Sequence, residues 1–513
     1  RRVAHSIINR LQYKPLISIL LPVYNTSVSF LTQAIDSVRG QVYENWELCI
    51  IDDRSTSQGT LECLHNIAQA DNRIKVEFLE KNGGISNATN IALSKACGDF
   101  VAFLDHDDLI TPDCLLEIIY AYNRKPESDV FYTDQSYIDE LGNVTEHFHK
   151  PDWSPWMFRG VMYIGHLLVV RKSIAHHVGG LSHPFNFVQD FEFMLRVSEV
   201  TKRIVHIPKI LYHWRRASSS VAGGGKSDID FGKLQSKAVN NHMSRLNLPV
   251  TAIKHPIHPH RQILEPVKKN STMKILAFII SQELKTKSDT SKIIQEFKNK
   301  TSHKKIDWNV LPITKLTPGS DLLNFINGTD YDCILFTNSS IKPICGDWLS
   351  RLLSFISLPG VGAVGPKIID EDKKVVSAGL ALSICGAKNA MKGFDSSLDG
   401  YAGSLSCVRE VSAISPDCVV IRKELISEPT VFYPELGIGY YLVDLLFNSM
   451  NKNSNNLIIP FVEVSMNSNE YSLLNSKPLN ESLWKNLRNQ ELVSGDSYYN
   501  TNLNQIDADY TVE

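Results

Sequence analysis

The strongest constraint on the fold is an alternation of apolar runs with amphipathic stretches from Leu16 to about Thr133. Short apolar runs are typical of strands buried on both faces, and the stretches between them suit crossover helices. Between the first two runs, Leu31, Ala34, Ile35 and Val38 recur at helical spacing. The pattern predicts an α/β fold with a mostly parallel sheet flanked by helices. The predicted strands are Ile17–Val23, Glu47–Asp52, Ile74–Leu79, Phe100–Asp105 and Asp129–Thr133, and a second helix is predicted to begin near Thr111-Pro112.

The length of 513 residues predicts several domains, at roughly 100–200 residues each. Between Lys268 and Lys305 apolar residues thin out and lysines accumulate, although Ile275–Ile280 still has the pattern of a strand, and the α/β pattern then repeats to about residue 466. We therefore expect an N-terminal extension (1–14), a first domain (15–267), a second domain (268–485) and a loose polar tail (486–513).

Charge and cysteine content exclude several classes of protein. Lysine and arginine number 53 against 55 acidic residues, so no global positive field would attract nucleic acid. The nine cysteines are scattered without a CxxC pair, which favours a reducing compartment. The sequence predicts no spanning helix, because no run of 18 or more uncharged apolar residues exists. It predicts no signal peptide, because the N-terminus Arg1-Arg2-Val3 has no h-region. We expect a cytoplasmic protein.

Two strand ends carry polar motifs. The first strand ends in Leu21-Pro22-Val23-Tyr24-Asn25 without a GxGxxG motif, which excludes a dinucleotide-binding fingerprint there. The second strand ends in Asp52-Asp53, at the edge where open α/β sheets bind ligands. These carboxylates could accept hydrogen bonds from a ribose or a base, or Asp could cap the next helix.

The fourth strand runs into Asp105-His106-Asp107-Asp108. In an extended chain Asp105 and Asp107 would share a face, roughly 7 Å apart. Two such carboxylates repel each other and suit Mg²⁺ or Mn²⁺, which would bridge to a substrate diphosphate. Turn chemistry is the alternative, but the position after a buried strand favours the metal.

Two further segments place polar groups at helix starts. Asn82-Gly83-Gly84 precedes a helical stretch Ile85–Ala96, so its amides could face an anion or simply form a turn. Asp190 begins a helix whose apolar face carries Phe191 and Met194. As a first-turn partner of the helix dipole its pKa would be depressed.

Eight short blocks occur in one order along about residues 15–222: Leu21–Asn25, Ile51–Ser55, Asn82–Asn90, Asp105–Asp108, Lys150–Pro155, Tyr163–His166, Gln189–Asp190 and Tyr212–Arg215. The content and order of the blocks resemble those of family 2 glycosyltransferases with the GT-A fold that build bacterial surface polysaccharides such as O-antigen and capsule. The resemblance implies inverting transfer of a sugar from a nucleotide-diphospho-sugar.

The resemblance also implies roles for residues of these blocks. Asp190 would be the general base that deprotonates the acceptor hydroxyl. The metal ligands would be Asp105, Asp107 and His213, although a histidine at that position is ordinarily structural. Donor contacts would come from Pro22, Tyr24, Asn25, Asp52, Asp53, Gly84, Asn90, Asp105, His106 and Arg215, the last neutralising the leaving group. Acceptor contacts would come from Lys150, Trp153, Gly165, His166 and Gln189, with core packing an equal alternative for Trp153.

Residues 331–423 resemble rhamnosyltransferase-like members of the same superfamily. At the metal position, however, the strand continues Thr337-Asn338-Ser339-Ser340 without an acidic pair. Leu442 stands at the expected base position, and Glu463–Asn467 contains no histidine. We expect a degenerate, non-catalytic GT-A-like domain that packs on the first, holds the acceptor or recruits a partner.

The leading hypothesis is a metal-dependent inverting glycosyltransferase that extends a polymeric or lipid-linked glycan. UDP is the first candidate nucleotide and dTDP the second. Its substrate class suggests peripheral contact with the inner face of the plasma membrane and with other polysaccharide-assembly enzymes; a solvated surface explains the lysines of 268–305 better than lipid binding. Sugar-phosphate nucleotidyl transfer is a second hypothesis, weakened by the missing glycine-rich, basic first loop, and a glycan-binding or scaffold protein is a third.

Overall fold

The computed structural model describes residues 2–216, 229–267, 272–282, 287–312, 326, 329–427, 434–450, 454–467, 471–475 and 478–512. The chain forms two compact units. Unit 1 comprises Arg1–Trp153 and Met162–His242, and unit 2 comprises Ser154–Val161 and Met243–Glu513. No helix among the described ranges is both long and apolar enough to cross a membrane.

Unit 1 is built on one nine-stranded sheet with the order β3-β2-β1-β4-β8-β6-β9-β5, and β7 pairs with β6 outside this path. The strands are β1 Ile17–Val23, β2 Trp46–Asp52, β3 Ile74–Phe78, β4 Phe100–Phe103, β5 Leu109–Ile110, β6 Val130–Ile138, β7 Val144–Phe148, β8 Leu168–Arg171 and β9 Ile204–Arg215. The helices, with α6 contributed to unit 2, are α1 Arg2–Arg10, α2 Val28–Arg39, α3 Gln58–Ala70, α4 Ile85–Lys95, α5 Cys114–Arg124, α6 Pro155–Gly160, α7 Lys172–His177, α8 Gln189–Val200 and α9 Phe231–Arg245.

The core of unit 1 follows from the sequence pattern. Every residue of β1 and β2 is buried, and α2 buries the face that carries Leu31, Ala34, Ile35 and Val38. The α/β class is thus confirmed. The helix predicted to begin near Thr111-Pro112 is α5, which begins at Cys114, and the Thr111 hydroxyl donates to the Asp113 carboxylate.

Unit 2 contains a second nine-stranded sheet, ordered β13-β12-β14-β21-β16-β22-β15, with β17 and β20 attached. Two small hairpins, β10-β11 and β18-β19, lie outside it. The strands are β10 Val250–Lys254, β11 Gln262–Pro266, β12 Ile275–Ser281, β13 Ile306–Pro312, β14 Cys333–Asn338, β15 Lys342–Pro343, β16 Val361–Ile369, β17 Val375–Ser377, β18 Leu380–Ser383, β19 Gly386–Asn389, β20 Arg409–Glu410, β21 Cys418–Arg422 and β22 Asn455–Ser465. The helices, besides α6, are α10 Lys287–Asn299, α11 Trp348–Ile356, α12 Lys423–Ser427, α13 Gly437–Met450, α14 Pro478–Leu487 and α15 Asn489–Val493.

The two sheets share one topology. In unit 1, β1 runs parallel to β2 and β4, β4 pairs antiparallel with β8, and β6 runs parallel to β9. In unit 2 the same relations link β12 to β13 and β14, β14 to β21, and β16 to β22. The second half of the chain therefore repeats the architecture of the first, as its residue pattern predicts.

The units differ in extent from the predicted domains. The break falls between His242 and Met243 rather than near residue 268, because hairpin β10-β11 belongs to unit 2, where the Arg261 guanidinium binds the Asp399 carboxylate at 2.7 Å. The tail is not loose over its described part. Tyr499 and Leu503 are buried in a small apolar cluster of unit 2. The prediction from the overall polar composition missed these few apolar side chains.

Candidate functional site

A cleft of about 470 Å³, including its mouth, opens in unit 1 beside the ends of β1 and β4. Its apolar wall includes Leu20, Ile85, Phe103 and Phe193. Six of the predicted site residues line it, namely Pro22, Asp105, Gly165, His166, Gln189 and Asp190. Residues from four distant parts of the sequence thus converge on one cleft, which is the candidate active site.

Asp105 and His166 form the polar floor of the cleft. The His166 Nε2 atom lies 3.4 Å from Asp105 Oδ2. Burial raises the pKa of Asp105 to about 6, and the negative charge of Asp107 acts in the same direction. Burial lowers the pKa of His166, whereas the charge of Asp190 opposes that shift. Among the described residues, Asp105 and Asp107 pair with the histidines His166 and His106 and with no lysine or arginine.

Two supporting residues were missed by the sequence analysis. The Tyr212 ring stacks on His166 at 5.1 Å between centroids, and its hydroxyl donates to Asp108 Oδ2 at 2.5 Å. Asp108 is 1% exposed and also accepts the Arg215 backbone N–H at 2.7 Å. Asp108 and Tyr212 thus fix the turn that carries Asp105 and Asp107. The sequence signals for this role are the third carboxylate of the Asp105–Asp108 block and the tyrosine that opens the Tyr212–Arg215 block.

Asp190 lies in the first turn of α8, as predicted, but its electrostatics differ from the expectation. Burial raises the pKa of the Asp190 carboxyl, with His166 and the Phe191 N–H acting against the shift. The alternative role as a helix-dipole partner predicted a depressed pKa, and the pKa moves in the opposite direction, because desolvation outweighs the charge of His166 and the backbone hydrogen bond. A carboxylate with a raised pKa is a stronger base, which suits proton abstraction. The neighbouring Gln189 Oε1 is buried and has no hydrogen-bond partner among the described residues.

Lys150 does not line the cleft. It is completely buried, and its Nζ donates to the carbonyls of Ile164 and His166, each at 2.6 Å. Burial lowers the pKa of Lys150 to about 7. The expectation of an acceptor-binding lysine is corrected to that of a residue that holds the Tyr163–His166 loop. Within that loop Gly165 has φ +42°, and a Cβ atom there would lie 2.9 Å from Gln135 Oε1.

Asp53 and Gly84 bind each other. The Asp53 carboxylate accepts the N–H groups of Gly83 and Gly84 at 2.7 and 2.8 Å. The Gly84 amide, predicted to be available to an anion, is therefore already paired. Asp52 is 1% exposed, and its Oδ1 has no hydrogen-bond partner among the described residues. This leaves Asp52 as the carboxylate of the pair with an unused acceptor.

Other predicted donor and acceptor residues have local structural roles or stand at the surface. Asn25 accepts the N–H groups of Thr56 and Ser57 through Oδ1, at 2.7 and 3.0 Å. The Asn90 amide binds both backbone groups of Leu181 at 2.8 Å. Tyr24 is exposed, and His106 and Trp153 are half-buried; His106 Nδ1 lies 3.7 Å from Asp107 Oδ1.

Arg215 is locked inside unit 1. Its side chain is fully buried and donates to the carbonyls of Asp107, Asp139 and Glu140 and to Gln33 Oε1, at 2.8–3.2 Å. The expectation that Arg215 neutralises a leaving group is corrected, because its guanidinium is occupied by these four acceptors.

His213 lies within β9, and its Nδ1 is 2.6 Å from the Ser136 hydroxyl. Successive strand residues face opposite sides of a sheet. Since Tyr212 and Trp214 both contact the His166 ring, His213 faces away from the Asp105 side. The predicted set of Asp105, Asp107 and His213 is not assembled.

The remaining donors fit a divalent cation in chemistry, though not as a closed cage. Within the described ranges, no three His, Cys, Asp or Glu side chains are arranged to hold a metal ion. Asp105 and Asp107 nevertheless present hard oxygen ligands, and their mutual repulsion is what a cation relieves. Such a pair suits an ion that takes its other ligands from substrate phosphates and water.

Unit 2 has different residues at the equivalent positions. Phe100 pairs with Ile17 and Arg171, as Cys333 pairs with Ile275 and Arg422. Counting equally from these anchors places Asn338 at the position of Asp105, Ser340 at that of Asp107, and Asp417 at that of His166.

A segment of the same unit covers this second strand edge. The Asn338 amide donates to the Tyr471 carbonyl at 2.6 Å and to Asp417 Oδ1 at 3.0 Å. Asp417 also accepts the Leu473 N–H at 2.8 Å. In α13 Leu442 is buried, and the nearby Asp444 is bound by Arg488 at 2.7 Å. The polar groups of the second strand edge are thus satisfied from within unit 2.

Comparison with known proteins gives the family. Residues 18–179 match the model of glycosyl transferase family 2. The chain is 48% identical over 225 residues to an uncharacterized glycosyltransferase of Haemophilus influenzae, which covers 43% of this chain and 84% of the relative. It is 30% identical over 446 residues to the O-antigen biosynthesis protein RfbC of Myxococcus xanthus, across 82% of this chain and 35% of that protein.

An uncharacterized protein, y4gI, of Sinorhizobium fredii is 28% identical over 489 residues, across 89% of this chain and 54% of the relative. The chain thus spans about half or less of the length of these two long relatives. The region matched by the family model contains β1 to β8 and the Asp105–Asp108 block. On the match of residues 18–179 and the 48% identity to a glycosyltransferase covered over most of its length, the chain belongs to glycosyltransferase family 2.

Proposed function

We propose that this protein transfers a sugar from a nucleotide-diphospho-sugar to a hydroxyl group of a growing glycan, with inversion at the anomeric carbon. The observation that carries the proposal is the convergence of Asp105, His166, Gln189 and Asp190 on one cleft at the strand ends of unit 1. The O-antigen role in the name of the Myxococcus relative supports a surface polysaccharide or its lipid-linked precursor as the acceptor.

In the proposed reaction Asp190 takes the proton of the acceptor hydroxyl while that oxygen attacks the anomeric carbon. Its raised pKa makes it a better base than an exposed aspartate. Gln189 offers an unused carbonyl oxygen that can accept a second acceptor hydroxyl. Asp52 stays the candidate for a base or ribose group of the donor through its Oδ1, although donor binding must first open access to this buried atom.

Asp105 and Asp107 would hold the divalent cation, which supplies charge neutralisation for the departing diphosphate. His166 is kept near neutral by burial, and its Nε2 faces Asp105. Since the Arg215 guanidinium is bonded to four acceptors inside unit 1, no role at the leaving group is proposed for it. UDP is the first nucleotide to test, followed by dTDP. Peripheral contact with the inner face of the plasma membrane belongs to the same proposal, through a lipid-linked acceptor.

We further propose that unit 2 is non-catalytic. Asn338 and Ser340 replace the acidic pair, and the Tyr471–Leu473 backbone occupies the polar groups of the equivalent edge. A charged metal has no carboxylate pair to bind there. One active site per chain is the expected consequence.

The test is nucleoside diphosphate release from a panel of nucleotide sugars, with Mn²⁺ or Mg²⁺ and with or without glycan acceptor. One donor should dominate, and EDTA should abolish turnover. Asp190→Asn should lose about 10²–10⁴ in transfer rate while still binding the donor. Loss of donor binding in Asp190→Asn would indicate a structural role instead.

A matched pair of variants tests the assignment of units. Asp107→Ala should abolish turnover, whereas Ser340→Ala, at the equivalent position of unit 2, should leave it unchanged. Wild-type turnover by the Asp105→Ala/Asp107→Ala double variant would refute the first-unit site. Loss of turnover in Ser340→Ala with an unchanged melting temperature would refute a silent second unit.

A further inference from the structure

A short segment between two blocks of the site folds with the other unit. The chain leaves unit 1 after Trp153, belongs to unit 2 over Ser154–Val161, and returns to unit 1 at Met162. We call Ser154–Val161 the strap. Only three residues separate its end from Gly165, which lines the cleft.

The strap cannot be stable by itself. Its helix α6 has six residues, and isolated helices shorter than about 12 residues are marginal in water. The side chain at the N-cap, Ser154, caps no amide of the helix. Trp156, Met157 and Phe158 are all less than 5% exposed. The conformation of the strap therefore depends on unit 2.

Glu410 of β20 supplies the missing cap. Its carboxylate accepts the N–H of Trp156 at 3.0 Å and that of Met157 at 3.4 Å, and it also accepts the Ser154 hydroxyl. Glu410 is 1% exposed and Arg159 is 8% exposed. Burial lowers the pKa of the Arg159 guanidinium, and the charge of Glu410 opposes that shift. A buried carboxylate that binds one short segment so closely is costly unless all its bonds are made.

The residues on either side of the strap are also fixed by hydrogen bonds. Before it, the Tyr132 hydroxyl donates to the Pro151 carbonyl at 2.7 Å. After it, the Tyr163 hydroxyl donates to the Asp152 carbonyl at 3.2 Å, and Lys150 holds the carbonyls of Ile164 and His166. The chain between Lys150 and His166 is short and is hydrogen-bonded on both sides of the strap. We therefore expect a displacement of the strap to displace the Tyr163–His166 loop as well.

We propose that Glu410 is a positioning residue for the cleft: by capping the strap it fixes the start of the loop that presents Gly165 and His166. The inference rests on the proposed function only in taking the cleft as the active site. Positioning of this loop is a role for unit 2 that requires it to bind neither a metal ion nor a second substrate. Loss of the cap should loosen the strap and then the loop, leaving Asp105 and Asp190 in place.

The test is hydrogen–deuterium exchange on the full chain, which needs no substrate. In Glu410→Ala, peptides covering 154–161 and 162–168 should exchange about tenfold faster, a factor in the range of a lost helix cap. Glu410→Gln retains an acceptor for the Trp156 N–H and should show a smaller increase. Peptides of α4, Ile85–Lys95, should exchange at the wild-type rate.

Asp496→Ala is the matched control. Asp496 is also a buried carboxylate of unit 2, but it accepts the Leu382 N–H and the Ser412 hydroxyl, which lie outside the strap. It should accelerate exchange around residues 380–383 and not in 162–168. Equal acceleration of 162–168 in both variants, or none in Glu410→Ala, would overturn the proposal.

Should Glu410→Ala fail to fold, Ser154→Ala removes one bond of the cap and should still accelerate exchange at 162–168; wild-type exchange there would overturn the proposal. With the donor identified, Glu410→Gln should lower kcat for transfer more than it changes donor KM, because the loop and not the donor site is displaced. Failure to find any donor would refute the proposed function while leaving the exchange result intact.

Discussion

Replacing Arg215 by methionine should destabilise unit 1 rather than merely slow a reaction. Arg215 was expected from the family resemblance to face the departing diphosphate. In the structure its guanidinium donates hydrogen bonds to the carbonyls of Asp107, Asp139 and Glu140 and to the side chain of Gln33. The whole Arg215 side chain is buried. Methionine preserves much of the volume but removes the donor of these four hydrogen bonds.

The expected loss in the free energy of unfolding follows from these hydrogen bonds. A hydrogen bond to a charged group contributes about 1.5–3 kcal/mol, so four give an upper bound of about 6–12 kcal/mol. The real loss is smaller, because burying the guanidinium itself costs free energy. Removing one partner of a buried charged network typically costs about 3–5 kcal/mol. For a unit of this size that lowers the melting temperature by about 6–20 °C.

Arg216→Met is the control for this prediction. Arg216 is the next residue, but 52% of its side chain is exposed and it pairs with the exposed Glu146 at 3.0 Å. Such a surface pair contributes about 1 kcal/mol or less. Calorimetry of the full chain should show the unit 1 transition shifted in Arg215→Met and nearly unchanged in Arg216→Met. An Arg215→Met protein with wild-type melting and selectively lost turnover would refute the structural role and restore the catalytic one.

Three further predictions concern the cleft. Gly165→Ala should lower turnover at least about tenfold, because φ is +42° and the new Cβ would lie 2.9 Å from Gln135 Oε1. Gly142→Ala is the control: its φ is +89° and no atom lies within 4 Å, so this variant should only cost backbone strain. Equal turnover in the two variants would contradict the prediction. Since burial raises the pKa of Asp190 and the base must be ionised, the rate of transfer should fall as pH drops through that raised pKa, and Asp190→Asn should remove this limb of the pH–rate profile. Burial lowers the pKa of Lys150 to about 7, so the unfolded chain binds more protons above that pH and stability should rise between about pH 7 and 10; urea unfolding of Lys150→Met should lack this rise.

The α/β architecture was predictable because it depends on the spacing of apolar residues and on the order of strands and helices along the chain. Apolar runs of the length of β1 and β2 can be satisfied only by burial on both faces, and the spacing in α2 leaves one orientation for its apolar face. Asp105 was found because it follows a buried strand of the sheet, whereas His166, Gln189 and the role of Asp190 came from the ordered blocks that resemble the family; the four line one cleft.

The failures share a different cause. Lys150, Arg215 and Asp53 carry groups that could equally bind a ligand or the protein's own backbone, and only three-dimensional contacts decide between these uses. The side on which His213 points depends on the exact register of β9, which extends farther than its apolar run. The raised pKa of Asp190 depends on how much water its neighbours exclude, and no local pattern encodes that.

The bonds from Asn338 and Asp417 to the Tyr471–Leu473 backbone set a limit on protein engineering. Restoring aspartate at 338 and 340 and histidine at 417 would return the side chains of the first unit to the second, yet the carbonyl and amide of the covering segment would still stand in front of them. Gly439 of α13 meets the Leu473 carbonyl so closely that it leaves no room for a β-carbon. A second working centre would therefore require this piece of backbone to be rerouted or excised before any substitution could matter.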